Sequence, residues 1–193
     1  MRTMARAGET DADTYTYDRA QRGFHWLMAV LILVGLALGI YAAWQVPGTS
    51  PRREILDIHK SIGLTVLLLL PLRVVWRLIA GEPAYRAPPS RSAHLAAKAA
   101  HLTLYALMLL LPVSGYVYSA AGGYGLPWFG LFSFPRLVPV DKALSASGYT
   151  AHYWIAWGVG IVLGLHVLAV AWHAWIRRDE VMGRMWPRRA VGG

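Results

Sequence analysis

Histidine is the residue type in this 193-residue chain with the most chemistry to offer: there are seven, at positions His25, His59, His94, His101, His152, His166 and His173. All but His94 fall in or at the edge of long apolar runs, where an ionisable side chain is costly to keep and marks function by default. The chain has no cysteine, which excludes disulfides, thiolate zinc sites, cysteine-ligated iron-sulfur clusters and covalent attachment of a c-type haem. Any bound metal must therefore be held mainly by imidazole. For a single histidine, an interfacial hydrogen-bonding role without metal is as good a reading as ligation. Six together favour ligation.

Spacing sharpens this. His152 and His166 are fourteen residues apart, which on one α-helix is a rise of about 21 Å with an angular offset of only about 40°. They share one face at two depths. In a hydrocarbon core about 30 Å thick, one imidazole then lies toward each leaflet and needs a partner of matching depth on another helix.

The elements that must position these residues are four apolar spans. They are expected at about Phe24 to Trp44, Leu56 to Ile79 (with Pro71 inside), Ala96 to Ser119 (with Pro112 inside) and Tyr149 to Ile176. Such prolines kink a helix, which neighbouring helices tolerate in a membrane. Pro47 to Pro51 and Gly81 to Ser92 read as turn-rich connections, and Ala120 to Gly148 as a longer loop. The aromatic stretch of that loop, Tyr124, Trp128, Phe129, Phe132 and Phe134, suits a cap on the membrane surface. The fold class is thus all-α, a four-helix transmembrane bundle. Its organisation is a polar segment over 1–22, the four-span domain over 23–178 and a basic tail over 179–193. The polar residues before a first run long enough to span argue against a cleavable signal.

Composition agrees: 56% of residues are hydrophobic, gathered into runs, and several Trp flank them. A net charge of +9 raises a nucleic-acid partner, but the distribution of charge explains it by topology instead. Of 19 Lys and Arg, 14 fall before the first span, from Arg73 to Lys98, or after the fourth; 5 fall on the other side, namely Arg52, Arg53, Lys60, Arg136 and Lys142. The positive-inside rule then places both termini in the cytoplasm.

With that orientation, depth pairs His25 with His166 near the cytoplasmic face and His59 with His152 near the periplasmic face. Compact zinc or copper sites want three or four converging ligands, whereas a haem needs two axial side chains, so paired imidazoles suit haem iron better. Arg73 and Arg77, four apart on one helix face, are placed to meet haem propionates, and equally to act as a positive-inside anchor. Gly35, Gly39, Gly63, Gly160 and Gly164 fit either clearance for a porphyrin edge or close helix packing. His101 and His173 lie toward the cytoplasmic side as competing axial ligands, as hydrogen-bonding groups of a quinone site, or as plain interfacial histidines.

The pieces that run in order along the chain, DRAQRGFHW ending at Trp26, HKSIG from His59, LRVVWRL ending at Leu78, AHLTLYALMLLLPVSG ending at Gly115, PWF from Pro127 and GLHVLAVAWH ending at His173, resemble the bacterial cytochrome b561 family, in particular its superoxide oxidase members. The resemblance spans Tyr17 to Arg189. It implies a bacterial inner-membrane protein with two haem b groups on His25, His59, His152 and His166, taking electrons from superoxide at the periplasmic face and delivering them to ubiquinone. It also implies that Gln21, His101 and His173 are quinone-side polar groups. Two positions depart from the family pattern: Tyr153 follows His152 where relatives often carry an acid, and Gly23 replaces a small hydroxyl residue.

Two other roles are compatible with parts of this pattern. One is the membrane-anchor subunit of a periplasmic hydrogenase or dehydrogenase, receiving electrons from a protein partner docked on the aromatic loop. The other, a histidine-lined transporter without haem, is disfavoured because transporters more often carry discontinuous helices and intramembrane acids near the midplane, and this sequence offers neither clearly.

Overall fold

A computed structural model of the chain describes residues 14–186. Four long helices dominate it: α1 Arg19–Trp44, α2 Ser50–Ala80, α3 Arg91–Ala121 and α4 Lys142–Trp172. A π-helical turn, His173–Arg177, continues α4, and a short helix α5, Val181–Met185, follows. All four long helices have the length and apolar character to cross a membrane. At 1.5 Å per residue even α1, with 26 residues, reaches about 39 Å, more than the hydrocarbon core requires.

Each helix begins where local chemistry satisfies its free N–H groups. Asp18 accepts from the Gln21 N–H (2.9 Å), Ser90 from the Ala93 N–H (3.3 Å) and Asp141 from the Leu144 N–H (2.7 Å). Pro51 occupies the first turn of α2, where a missing N–H costs nothing. α2 and α4 start about two turns before the expected Leu56 and Tyr149, and His94 lies in the first turn of α3. Gly81, at φ 73°, ends α2 in a conformation only glycine adopts easily.

The helices pack in chain order, α1 on α2, α2 on α3 and α3 on α4. The buried apolar cluster is small, Met28, Val66 and Leu70, flanked by Leu31, Ile32, Leu69, Val74, Tyr105 and Met108 from α1, α2 and α3. Leu, Val, Ile and Trp side chains point outward all along the helices, the pattern expected when lipid rather than water is the surrounding medium. Where α3 meets α4, Gly148 lets the backbones touch: a Cβ there would lie 2.8 Å from the Tyr118 amide nitrogen. Gly148→Ala is therefore expected to push the pair apart and cost about 1–3 kcal/mol. A lowered midpoint of thermal unfolding in detergent would register it, and an unchanged midpoint would contradict the close approach.

The aromatic loop forms a two-stranded antiparallel ribbon, β1 Pro127–Trp128 with β2 Phe132–Ser133. Phe129 and Gly130 turn it with positive φ, and Leu131 closes it through an N–H bond to the Trp128 carbonyl (3.0 Å). The ribbon is pinned to α2. Ser61, 1% exposed, accepts from the Phe129 N–H (2.9 Å) and lies within donating distance of the Asp57 and Pro127 carbonyls. Trp128 donates to Thr65 (3.1 Å), and Lys60 donates to the Gly125 carbonyl (3.1 Å). The loop is thus a cap over one end of the bundle.

At the other end, both chain segments leading away from the bundle fold back on it. The Tyr17 N–H donates to the Arg184 carbonyl (3.1 Å), and the Trp26 indole donates to the Met185 carbonyl (2.9 Å). Arg184 is buried, 3.6 Å from the centroid of the Tyr85 ring, and donates to the Pro83 carbonyl (2.7 Å).

Candidate functional site

Two pairs of imidazoles face each other across the bundle, one near each end. Beneath the cap, His59 of α2 and His152 of α4 have ring centroids 5.9 Å apart and planes at 88°. At the end carrying the termini, His25 of α1 and His166 of α4 are 6.4 Å apart at 56°. Two imidazole nitrogens each about 2 Å from a shared first-row metal ion put the ring centroids roughly 6 Å apart, whatever the twist between the rings. Both separations fit that requirement. They also match the pairing reached from depth.

The helix packing supplies room. Both couples join helices that are not packing neighbours, α1 with α4 and α2 with α4. α4 itself is mostly uncovered, with only Gly148 and Val159 buried. Gly160 and Gly164 on α4, and Gly23 on α1, have no atom within 4 Å of where a Cβ would stand. A flat macrocycle edged between helices needs such openings, so the residues present fit haem b. Among the described residues, no group of three or more His, Cys, Asp or Glu converges to hold a bare metal ion.

The hydrogen bond made by one ring nitrogen of each histidine decides which nitrogen remains available. His59 Nδ1–H donates to the Gly35 carbonyl (2.8 Å) and His152 Nδ1–H to the Leu111 carbonyl (2.9 Å). A carbonyl can only accept, so Nδ1 carries the proton and Nε2 keeps its lone pair for a metal. His25 differs. Arg73 Nη2 donates to its Nδ1 (3.1 Å), which places the ring proton on Nε2. Ligation through His25 Nε2 would require Arg73 to exchange this partner for another acceptor, and a carboxylate is the natural one.

Around Arg73 the structure gathers a polar wall. A small cavity is lined by Tyr17, Gln21, Arg73, Arg77, Tyr105 and Met185. Arg73 Nε reaches toward the Tyr105 hydroxyl (3.5 Å), and Arg77 pairs with Glu82 and lies over the Tyr17 ring. Gln21 is buried and donates to the Gly81 carbonyl (2.9 Å). Spacing alone does not single out Tyr17, Tyr105 or Met185; their contribution depends on α1, α2, α3 and the folded-back C-terminal segment meeting at one place.

The other two histidines separate. His101 of α3 has its ring 6.0 Å from that of His166, so His166 stands between two imidazoles. His173 lies away from the cavity, where its Nδ1 meets Asp179 at 2.6 Å. Burial pushes the Asp179 carboxyl up, but the hydrogen bonds from His173 and the Val181 N–H outweigh it and hold the group below the usual carboxylate range. Gln21 lines the cavity with the two arginines, while His101 stands beside His166 and His173 meets Asp179.

At the cap end, a cleft of about 360 Å³ opens among Tyr124, Gly125, Leu126, Ser133, Phe134 and Arg136. Lys60, next in sequence to His59, is held by Asp57 and the Gly125 carbonyl.

Known proteins share this chain's sequence over most of its length. A model of the family described as prokaryotic cytochrome b561 matches residues 16–188. Cytochrome b561 homolog 2 of Escherichia coli (strain K12) is 31% identical over 169 residues, 88% of this chain and 90% of the relative. A probable superoxide oxidase, CybB, of Yersinia pestis is 27% identical over 176 residues, 90% of this chain and 97% of the relative. Cytochrome b561 homolog 1 of Escherichia coli (strain K12) is 24% identical over 173 residues, covering 90% and 98% respectively.

Proposed function

We propose, from the premise that this chain belongs to the prokaryotic cytochrome b561 family and is a multi-pass membrane electron-transfer protein, that it oxidises superoxide to O2 at one face of the membrane and reduces quinone to quinol at the other. The single observation that carries this reading is the presence of two imidazole couples at opposite ends of one bundle, each at a separation suited to a shared iron. His59 and His152 would hold one haem beneath the cap, and His25 and His166 a second at the termini end. Bound haem b supplies reversible one-electron chemistry at each level.

The chain's own residues supply the rest. The cap end carries Arg52, Lys60, Arg136 and Lys142 among few acids, a mildly positive entrance that favours a small anion. At the termini end, Arg73 and Arg77 are the groups to bind haem propionates. Tyr17, Gln21 and Tyr105 offer hydrogen-bonding groups to a quinone's carbonyl oxygens, and the nearby His101 is suited to hold and pass protons. The excess of Lys and Arg at the termini end supports a cytoplasmic location for both termini, in the inner membrane of a bacterium.

A specific feature favours a second reading, that of a membrane anchor passing electrons from a periplasmic hydrogenase or dehydrogenase. Tyr124, Phe129, Leu131, Phe132 and Leu137 leave the cap with large exposed apolar side chains, material for a protein interface as well as for the headgroup region. The purified chain distinguishes the two. On the oxidase reading, superoxide reduces its haems promptly and quinone is then reduced with no added subunit. Failure of either step in haem-loaded protein would leave the anchor role.

A further inference from the structure

The two histidines beneath the cap are seated by the same device, once in each helical hairpin. In the first hairpin, His59 of α2 donates through Nδ1 to the carbonyl of Gly35 on α1, and Gly39, four residues further along α1, faces the ring. In the second, His152 of α4 donates through Nδ1 to the carbonyl of Leu111 on α3, and Gly115, again four residues further, faces the ring. The same ring edge is presented each time. A Cβ at Gly39 would lie 3.1 Å from His59 Cε1 and 3.4 Å from Nδ1; one at Gly115 would lie 2.8 Å from His152 Cε1 and 2.9 Å from Nδ1.

The fourfold step has a physical reason. A helical carbonyl already accepts the N–H of the residue four ahead and keeps a second lone pair. Side chains on a helix lean toward its N-terminus, so the residue at i+4 overhangs the carbonyl of residue i and screens it from neighbours. Glycine at i+4 removes that screen. An imidazole from the adjoining helix can then reach the lone pair with its Nδ1–Cε1 edge in the notch.

We propose that Gly39 and Gly115 are positioning residues of this kind: by baring the Gly35 and Leu111 carbonyls, they fix His59 and His152 with Nδ1 engaged and Nε2 directed to one shared haem iron. This deepens the reading that these two histidines form an axial couple, and it rests on it. The glycines then serve an imidazole, rather than a porphyrin edge or helix packing alone. The couple at the termini end is held differently, since His25 Nδ1 meets Arg73 and the glycines Gly160 and Gly164 preceding His166 contact nothing.

The test uses the full-length protein purified in detergent, with haem-to-chain ratio, ferric low-spin EPR and redox midpoints measured for wild type, Gly39→Ala, Gly115→Ala and the control Gly183→Ala on α5, where an added Cβ meets open space. Outer groups that orient a metal's histidine are typically worth on the order of 10- to 100-fold in affinity, so each notch variant is expected to weaken one haem by about that factor. The remaining haem of that site should show a shifted EPR signal and midpoint, while the other haem and Gly183→Ala match wild type. Should Gly115→Ala fail to accumulate, Gly39→Ala decides, because its Cβ requires the ring to give by only a few tenths of an ångström. Two haems with wild-type EPR and midpoints in Gly39→Ala and Gly115→Ala overturn the positioning role alone. A wild type without haem overturns the axial assignment beneath it.

Discussion

His152→Ala is expected to leave one haem on the chain instead of two, and the surviving haem should keep its own spectrum and midpoint. The couple beneath the cap joins α2 to α4 through His59 and His152 alone, with ring centroids 5.9 Å apart and no third imidazole beside them among the described residues. Removing one member leaves His59 facing an empty side, and nothing nearby is placed to substitute. Because the two levels are separated by about 21 Å along α4, the surviving haem cannot serve both faces. Superoxide-driven quinone reduction should therefore fall on the order of 100-fold or more, the upper range for disturbing a metal's ligand shell. Pyridine haemochrome quantitation and stopped-flow reduction check both halves. Two haems retained in this variant would dismiss His152 as a ligand.

The second large effect concerns His166, the member common to two close contacts. His166→Ala should remove the haem at the termini end whichever imidazole is its partner. His25→Ala should do the same, while His101→Ala should keep both haems. The ring separations alone, 6.4 Å to His25 and 6.0 Å to His101, do not choose between them. Packing does. α3 lies directly against α4, so a plate between His101 and His166 would have to pry these packed helices apart, whereas α1 and α4 are not packing neighbours. Arg73 beside His25 adds a cation of the kind a propionate needs. Absorption spectra of the three variants, reduced with dithionite, decide the matter. Loss of a haem in His101→Ala with retention in His25→Ala would reverse the assignment.

Much of this arrangement is legible in the amino-acid sequence. The four spans follow from apolar runs of membrane-crossing length, and the shared face of His152 and His166 follows from helical periodicity, which is local and survives any tertiary arrangement. The cap ribbon is less legible. Its strands are two residues long, and what holds them is Ser61 and Thr65 of α2, some 60 residues earlier in sequence. Local propensity over so short a stretch carries little information. His173 reads as a quinone-side group from the resemblance, and only the structure places it in the π-helical turn against Asp179.

By itself the sequence determined how deep each histidine sits and which helix bears it, because rise per residue and hydrophobic length depend only on the chain's own order. Only the tertiary structure decided how closely those imidazoles approach one another, that Gly39 and Gly115 bare a carbonyl to a neighbouring ring, and that Gln21 sits with Arg73 and Arg77. Those relations depend on how helices are rotated and placed against one another. That is set by contacts between residues far apart in sequence, such as Gly148 on Tyr118 and Tyr17 on Arg184, which no local periodicity encodes.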